Sequence, residues 1–241
     1  MVVSVFIAAI TTVIFPMLSR AFAQGDDDQL KLIMSQGINI ILLITVPATI
    51  GIMILAEPIV RIFFERGEFD PTDTLMTSSA LFFYSLGLVS ISLRLMLNKV
   101  FYSLQDTKTP MINGALSVGL NIILNLIFIR FMDHAGLALA TSISTTFTSI
   151  MLFISLRNKI GPIGLKRYLR CLVKTLAASL VMGVVVYFTF YGLTESYEFS
   201  KVFEMLILLL SIGLGALVYF ILCLIFDIKE LKILLSGIRR K

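Results

Sequence analysis

Apolar residues gather along the chain into seven runs, approximately 2–18, 37–56, 76–97, 111–130, 135–156, 171–192 and 203–226. Each is close to the ~20 residues that an α-helix needs to cross a bilayer core, and none shows the ~10-residue alternation of a barrel strand. The pattern predicts an all-α, polytopic transmembrane helix bundle of about seven spans. Pro16 and Pro47 fall inside the first two runs. Each frees a carbonyl and bends its helix, as a packing kink or as a hinge for a conformational cycle.

The polar punctuation between the runs is short. Asp26-Asp27-Asp28 followed by Leu30, Leu32, Ile33 and Met34 reads as a short surface helix capped by Asp27 or Asp28. Glu57 to Gly67 reads as an amphipathic interfacial helix ended by glycine. Asp70-Pro71 reads as an N-cap with proline at the first helical position. Near the middle of the chain lies the hinge Phe101-Tyr102-Ser103-Leu104-Gln105-Asp106-Thr107-Lys108-Thr109-Pro110. Here Thr109 is the expected cap and Pro110 the first helical residue. Asp106 sets negative charge ahead of that start, and Lys108 sets a cation at the membrane edge.

Composition narrows the class. Hydrophobic residues make up 58% of the chain and charged residues 15%, with a mean hydropathy of +0.97. A soluble domain carries roughly 25% charged residues, so this is an integral membrane protein. Cys171 and Cys223 sit in apolar runs and read as small buried hydrophobes, not as a disulfide or metal pair. No Lys or Arg precedes Arg20, so the first run lacks the basic start of a signal peptide. It reads as a membrane helix entered part-way, as though the chain began inside a longer protein.

Charge sets the orientation. Sixteen of the twenty Lys and Arg fall on alternate loops and ends, from Arg20 and Lys31 to the tail residues Lys229, Lys232, Arg239, Arg240 and Lys241. That face is assigned to the cytoplasm, which places the C-terminus inside and the N-terminus outside. Orientation, not nucleic-acid binding, accounts for the net charge of +5. The tail from Asp227 to Lys241 reads as a basic amphipathic helix on anionic lipid.

Polar side chains within spans are costly and usually face a bundle interior or a wet cavity. Asn113, Ser117, Asn121 and Asn125 recur every four residues along one face of the fourth run. The fifth run is rich in hydroxyls, from Thr141 to Ser149, and must pack antiparallel to the fourth across the short turn at His134. Asn121, Asn125 and Thr141 lie at similar depth. They converge on a hard cation such as sodium, or they form ordinary interhelical hydrogen bonds. Arg94 either snorkels to lipid phosphates or faces a cavity and meets an anionic substrate. Lys174 and Glu204 sit near span ends, where snorkelling suffices, and Ser211, Gly213 and Gly215 form a small-residue face for helix contact. No catalytic constellation or nucleotide loop is present, which leaves transport or a structural role.

Five stretches occur in an order and spacing that resemble a known family. They are Pro16-Met17-Leu18-Ser19-Arg20, Glu57-Pro58-Ile59-Val60, Phe64-Glu65-Arg66-Gly67-Glu68-Phe69, the central hinge, and Ala135-Gly136-Leu137-Ala138-Leu139-Ala140-Thr141-Ser142. Together, over about residues 1–160, they resemble the MurJ (MviN) lipid II flippases of bacteria, in the MOP exporter superfamily. The resemblance implies fourteen spans, as two six-helix lobes around a central cavity and two further helices forming a groove for a polyprenyl tail. On that template the chain runs from within the eighth span to the fourteenth. Residues 1–160 would supply most of the second lobe, and residues 161–241 the two extra helices and the tail.

The implied activity is alternating access in the plasma membrane, carrying undecaprenyl-pyrophosphate-linked peptidoglycan precursor outward. A missing N-terminal lobe would complete the cavity, whether in the same full-length chain or as a separate half. Arg94, Asn98, Asn113 and Ser117 would be the substrate-cavity candidates. Asn121, Asn125 and Thr141 would be the candidate sodium ligands, with no other cofactor. The competing readings are another exporter of the superfamily, for polysaccharide precursors or drugs, and a non-transporting membrane scaffold.

Overall fold

The computed structural model describes residues 2–194 and 201–228. It is wholly helical: α1 (Val2–Ala23), α2 (Asp27–Phe64), α3 (Pro71–Leu86), α4 (Leu88–Ser103), α5 (Lys108–Ile160), α6 (Leu165–Thr194) and α7 (Lys201–Ile225). Five of these helices are long and apolar enough to cross a membrane, and α3 with α4 forms a further span bent by 43°. The 53-residue α5 is broken at Asp133, whose φ of 46° and ψ of −128° reverse the chain, so its two arms cross separately. Seven passes result, as the hydrophobic runs predicted. The predicted tail helix lies outside the described residues from Lys229 onward.

Two of the spans differ in extent or continuity from the sequence reading. The surface helix, the second span and the interfacial helix are one continuous 38-residue helix, α2. Leu30, Ile33 and Met34 are therefore core residues, each no more than 6% exposed, rather than a surface strip. The third span is broken at Gly87 rather than continuous. A Cβ at Gly87 would stand 2.7 Å from the Ser142 Oγ and 2.9 Å from the Ser142 Cα, so only glycine lets α5 approach this closely.

Loops are closed by local hydrogen bonds that satisfy the helix ends. At the hinge, the Gln105 N–H donates to the Tyr102 carbonyl and the Asp106 N–H to the Phe101 carbonyl, with Gln105 at φ 57°. This is a Schellman cap with glutamine in the left-handed position. Gly25 ends α1 in the same way, and Asp26 then caps α2 by accepting from the Gln29 N–H at 2.9 Å. The cap is thus Asp26, not Asp27 or Asp28. At α3 the expectation holds: Asp70 and Asp73 form a reciprocal capping box, with Pro71 in the first turn. The helix after the hinge begins at Lys108, not Pro110. Asp106 caps it in place of Thr109, accepting from the Thr109 N–H at 3.0 Å and from its hydroxyl at 2.8 Å.

The principal core joins α1, α2, α4 and the returning arm of α5 through Ile7, Leu18, Met34, Ile38, Met96 and Leu152, with Tyr168 of α6 at its edge. A second core packs α6 and α7 onto α2 through Leu55, Met182, Val186, Phe190, Ile207 and Leu208. Ser211 is fully buried and Gly215 meets Val186 and Met182, but Gly213 faces open space. The small-residue face therefore comprises positions four apart, which share a helix side, and not those two apart.

Candidate functional site

The predicted polar residues fall into two groups on facing helices. Arg94 and Asn98 lie one turn apart on α4, both half-buried, and the Arg94 Nε is shielded from solvent without a hydrogen-bond partner. Asn98 opens into a cavity of about 530 Å³ shared with Tyr102, Thr107, Pro110 and Met111 at the hinge. Asn113 and Ser117 lie on the outgoing arm of α5. Asn113 is 8% exposed and its Nδ2 has no partner, whereas the Ser117 hydroxyl donates to the Ser144 carbonyl at 3.1 Å. Among the described residues no hydrogen bond joins the α4 pair to the α5 pair. Polar groups left without a partner in a span are expensive, and Arg94 Nε and Asn113 Nδ2 are two of them.

Asn121, Asn125 and Thr141 do come together. The Asn121 Nδ2 donates to the Thr141 hydroxyl at 3.4 Å and to the Ser144 hydroxyl at 3.2 Å, and the Asn125 Nδ2 donates to the Asn121 Oδ1 at 3.1 Å. The Thr141 hydroxyl donates in turn to the Leu137 carbonyl at 3.0 Å. The three side chains thus bond one another across the α5 hairpin, and the Asn125 Oδ1 is the one side-chain amide oxygen left over. As placed, the arrangement leaves one amide oxygen open and aims the amide hydrogens between the arms, a latch across the hairpin. Among the described residues there is no cluster of three or more His, Cys, Asp or Glu able to hold a metal.

Other hydroxyls of the returning arm serve the bend. Ser142 donates to the Phe83 carbonyl at 2.7 Å, Ser149 to the Ser90 carbonyl at 2.7 Å, and Thr146 pairs with Ser90 at 2.9 Å. They hold both halves of the broken third span against α5. Lys174 and Glu204 are likewise engaged. The Lys174 Nζ donates to the Phe226 carbonyl at 2.6 Å, and Glu204 pairs with Arg61 at 3.4 Å.

An apolar groove of about 420 Å³ opens along α2, α6 and α7, between Pro47, Gly51, Leu55, Met182, Val186 and Tyr219. Two tyrosines that the sequence did not single out bond α2: Tyr219, which lines the groove, donates to the Leu43 carbonyl, and Tyr191 donates to the Ile54 carbonyl. Each acceptor lies four residues before a proline of α2, the spacing that identifies a carbonyl stripped of its helical donor.

Comparison with known proteins decides the family. The family model described as lipid II flippase MurJ matches residues 1–224. The chain belongs to the lipid II flippase MurJ family. A probable lipid II flippase MurJ of Vibrio cholerae is 41% identical over 145 residues, covering 60% of this chain and 28% of that protein. The counterpart from Haemophilus influenzae is 32% identical over 217 residues, covering 88% of this chain and 42% of its own length. A solved lipid II flippase MurJ in its inward closed conformation superposes with a TM-score of 0.75 at 29% identity, covering 93% of this chain and 44% of that one. The chain thus spans less than half the length of these MurJ relatives.

Proposed function

We propose that this chain forms the second half of a lipid II flippase, moving undecaprenyl-pyrophosphate-linked peptidoglycan precursor from the inner to the outer face of the bacterial plasma membrane. The observation that carries the reading is the likeness, over 93% of the chain, to a solved lipid II flippase. The work is transport, with no covalent step assigned to any side chain. Arg94, with Asn98 and Asn113, supplies polar contacts to the anionic head of the substrate as it crosses, while the groove between α2, α6 and α7 takes the polyprenyl chain. A first lobe equivalent to the remainder of the relatives closes the other side of the cavity. The C-terminus is cytoplasmic, because the loops on that side hold sixteen of the twenty Lys and Arg.

The test is complementation. The protein, at its native length, is expressed in bacteria depleted of their own flippase, and precursor reaching the outer face is measured by its accessibility to an external label. Rescue by the wild type, with loss in Arg94→Ala at equal membrane abundance, supports the reading. Failure of the wild type to restore labelling overturns it in favour of a scaffold.

A further inference from the structure

The seam where α2, α6 and α7 meet holds a second cavity below the groove. From Pro47, Met182 and Tyr219, one turn along each helix brings Leu43, Ala178 and Cys223, which are buried together as an apolar plug. One more turn brings Asn39, Lys174 and Asp227, and these line a cavity of about 620 Å³ with Lys166, Arg167 and Arg170. Among the described residues, four cations and one carboxylate therefore surround a single space at the membrane edge.

The cations stand at the wrong end of their helix. Lys166 and Arg167 occupy the start of α6, whose first turn has no acidic residue, so both add positive charge at the positive end of the helix dipole. Such an arrangement is stabilised by an anion seated among them. Gly164, at φ 70°, sets the turn that brings the helix start to the cavity. On the far wall, Lys174 is fixed by its bond to the Phe226 carbonyl, beside the Schellman cap at Asp227 that ends α7. Just outward on α6, Leu169 and Val173 are 61% and 57% exposed, an apolar flank next to the basic mouth.

We propose that this cavity binds the phosphate head group of a membrane lipid whose hydrocarbon lies along the outer face of α6. It is separate from the groove, because the Leu43, Ala178 and Cys223 plug divides the two, and it holds whether or not the chain transports. A phosphate among three or four cations at a bilayer surface gains from each of them, and hydrocarbon beside it restricts the ligand to a lipid.

The test uses purified protein at native length in neutral detergent, with retained lipid counted by native mass spectrometry. Phosphatidylglycerol is expected to be retained over phosphatidylcholine. The triple variant Lys166→Gln, Arg167→Gln, Arg170→Gln is expected to lower retention by at least about tenfold. The control pair Lys108→Gln, Arg157→Gln, on the same membrane face, should leave it unchanged. Undecaprenyl diphosphate retained in place of phosphatidylglycerol, and lost in the triple variant, also supports a lipid-phosphate site and names the isoprenoid as its source. Three outcomes overturn the proposal: retention unchanged in the triple variant, equal loss in the control pair, or displacement of the lipid by inorganic phosphate at equal concentration. Thermal unfolding of each variant establishes that loss of lipid is not loss of fold.

Discussion

The Tyr219 hydroxyl of α7 donates to the Leu43 carbonyl of α2 at 2.7 Å, replacing the hydrogen bond that Pro47 removes. Tyr191 of α6 does the same one groove-length away, at 3.4 Å from the Ile54 carbonyl that Pro58 leaves free. In a bilayer an unpaired carbonyl has no water to turn to, so these tyrosines let α2 continue through two prolines. They also fasten both final helices to α2.

Replacing Tyr219 with Phe is expected to destabilise the protein by about 1 kcal/mol, the upper part of the range for interhelical bonds in membranes. The control is Pro47→Ala, which restores the N–H that serves Leu43. In that background Tyr219→Phe should cost little, so the double-mutant cycle, read by denaturant unfolding in detergent, should give a positive coupling. Additive single effects would mean that Tyr219 contributes by packing alone. Tyr191→Phe should have the smaller effect, since its bond is longer.

This pairing also explains what could be read from the sequence and what could not. Asp70-Pro71 was legible because a capping box is made within four residues. The seven runs were legible because hydrophobic length sets membrane span. Glu57-Pro58 suggested a new helix start, and the continuity of α2 was hidden because its rescue comes from Tyr191, 137 residues beyond the Ile54 carbonyl it serves. The break at Gly87 was hidden for the same reason, since it depends on Ser142 of a distant arm. In the site, the four-residue spacing of Asn113, Ser117, Asn121 and Asn125 showed a shared face. It did not show that Asn121 would turn its amide nitrogen toward Thr141, as rotamers follow from neighbours and not from spacing.

Gly87→Ala is expected to destabilise by about 1–3 kcal/mol, the usual range for overpacking. Its methyl group meets the Ser142 backbone, which cannot rotate away, so pruning the Ser142 side chain should not restore stability. The measurement is the unfolding midpoint of Gly87→Ala and of Gly87→Ala with Ser142→Ala. Recovery in the double variant would place the clash in the hydroxyl alone.

The hinge should show a defined acid sensitivity. The Lys159 ammonium, 2.5 Å from Asp106 and hydrogen-bonded to it, together with the Thr109 N–H, holds the Asp106 carboxyl down at about 2 against an ordinary 3.8. A depressed carboxylate stabilises the fold above its unfolded value and loses that contribution as pH falls through its folded value. Wild type should therefore be more stable than Asp106→Asn above about pH 4, with the gap closing toward pH 2. Unfolding midpoints of both proteins across that range test it. A gap independent of pH would assign the effect to the neutral Thr109 cap.

The amide network across the α5 hairpin makes a prediction about ions. Asn121 bonds Thr141, Ser144 and Asn125 at once, so Asn121→Leu should leave three polar groups short of a partner and cost about 1–2 kcal/mol. Because the network is closed by its own hydrogen bonds, exchanging sodium for potassium at constant ionic strength should leave the wild-type unfolding midpoint unchanged. A sodium-specific rise, lost in Asn125→Leu, would mean that the amides rotate to turn several oxygens inward, and that the hairpin holds an ion rather than a latch.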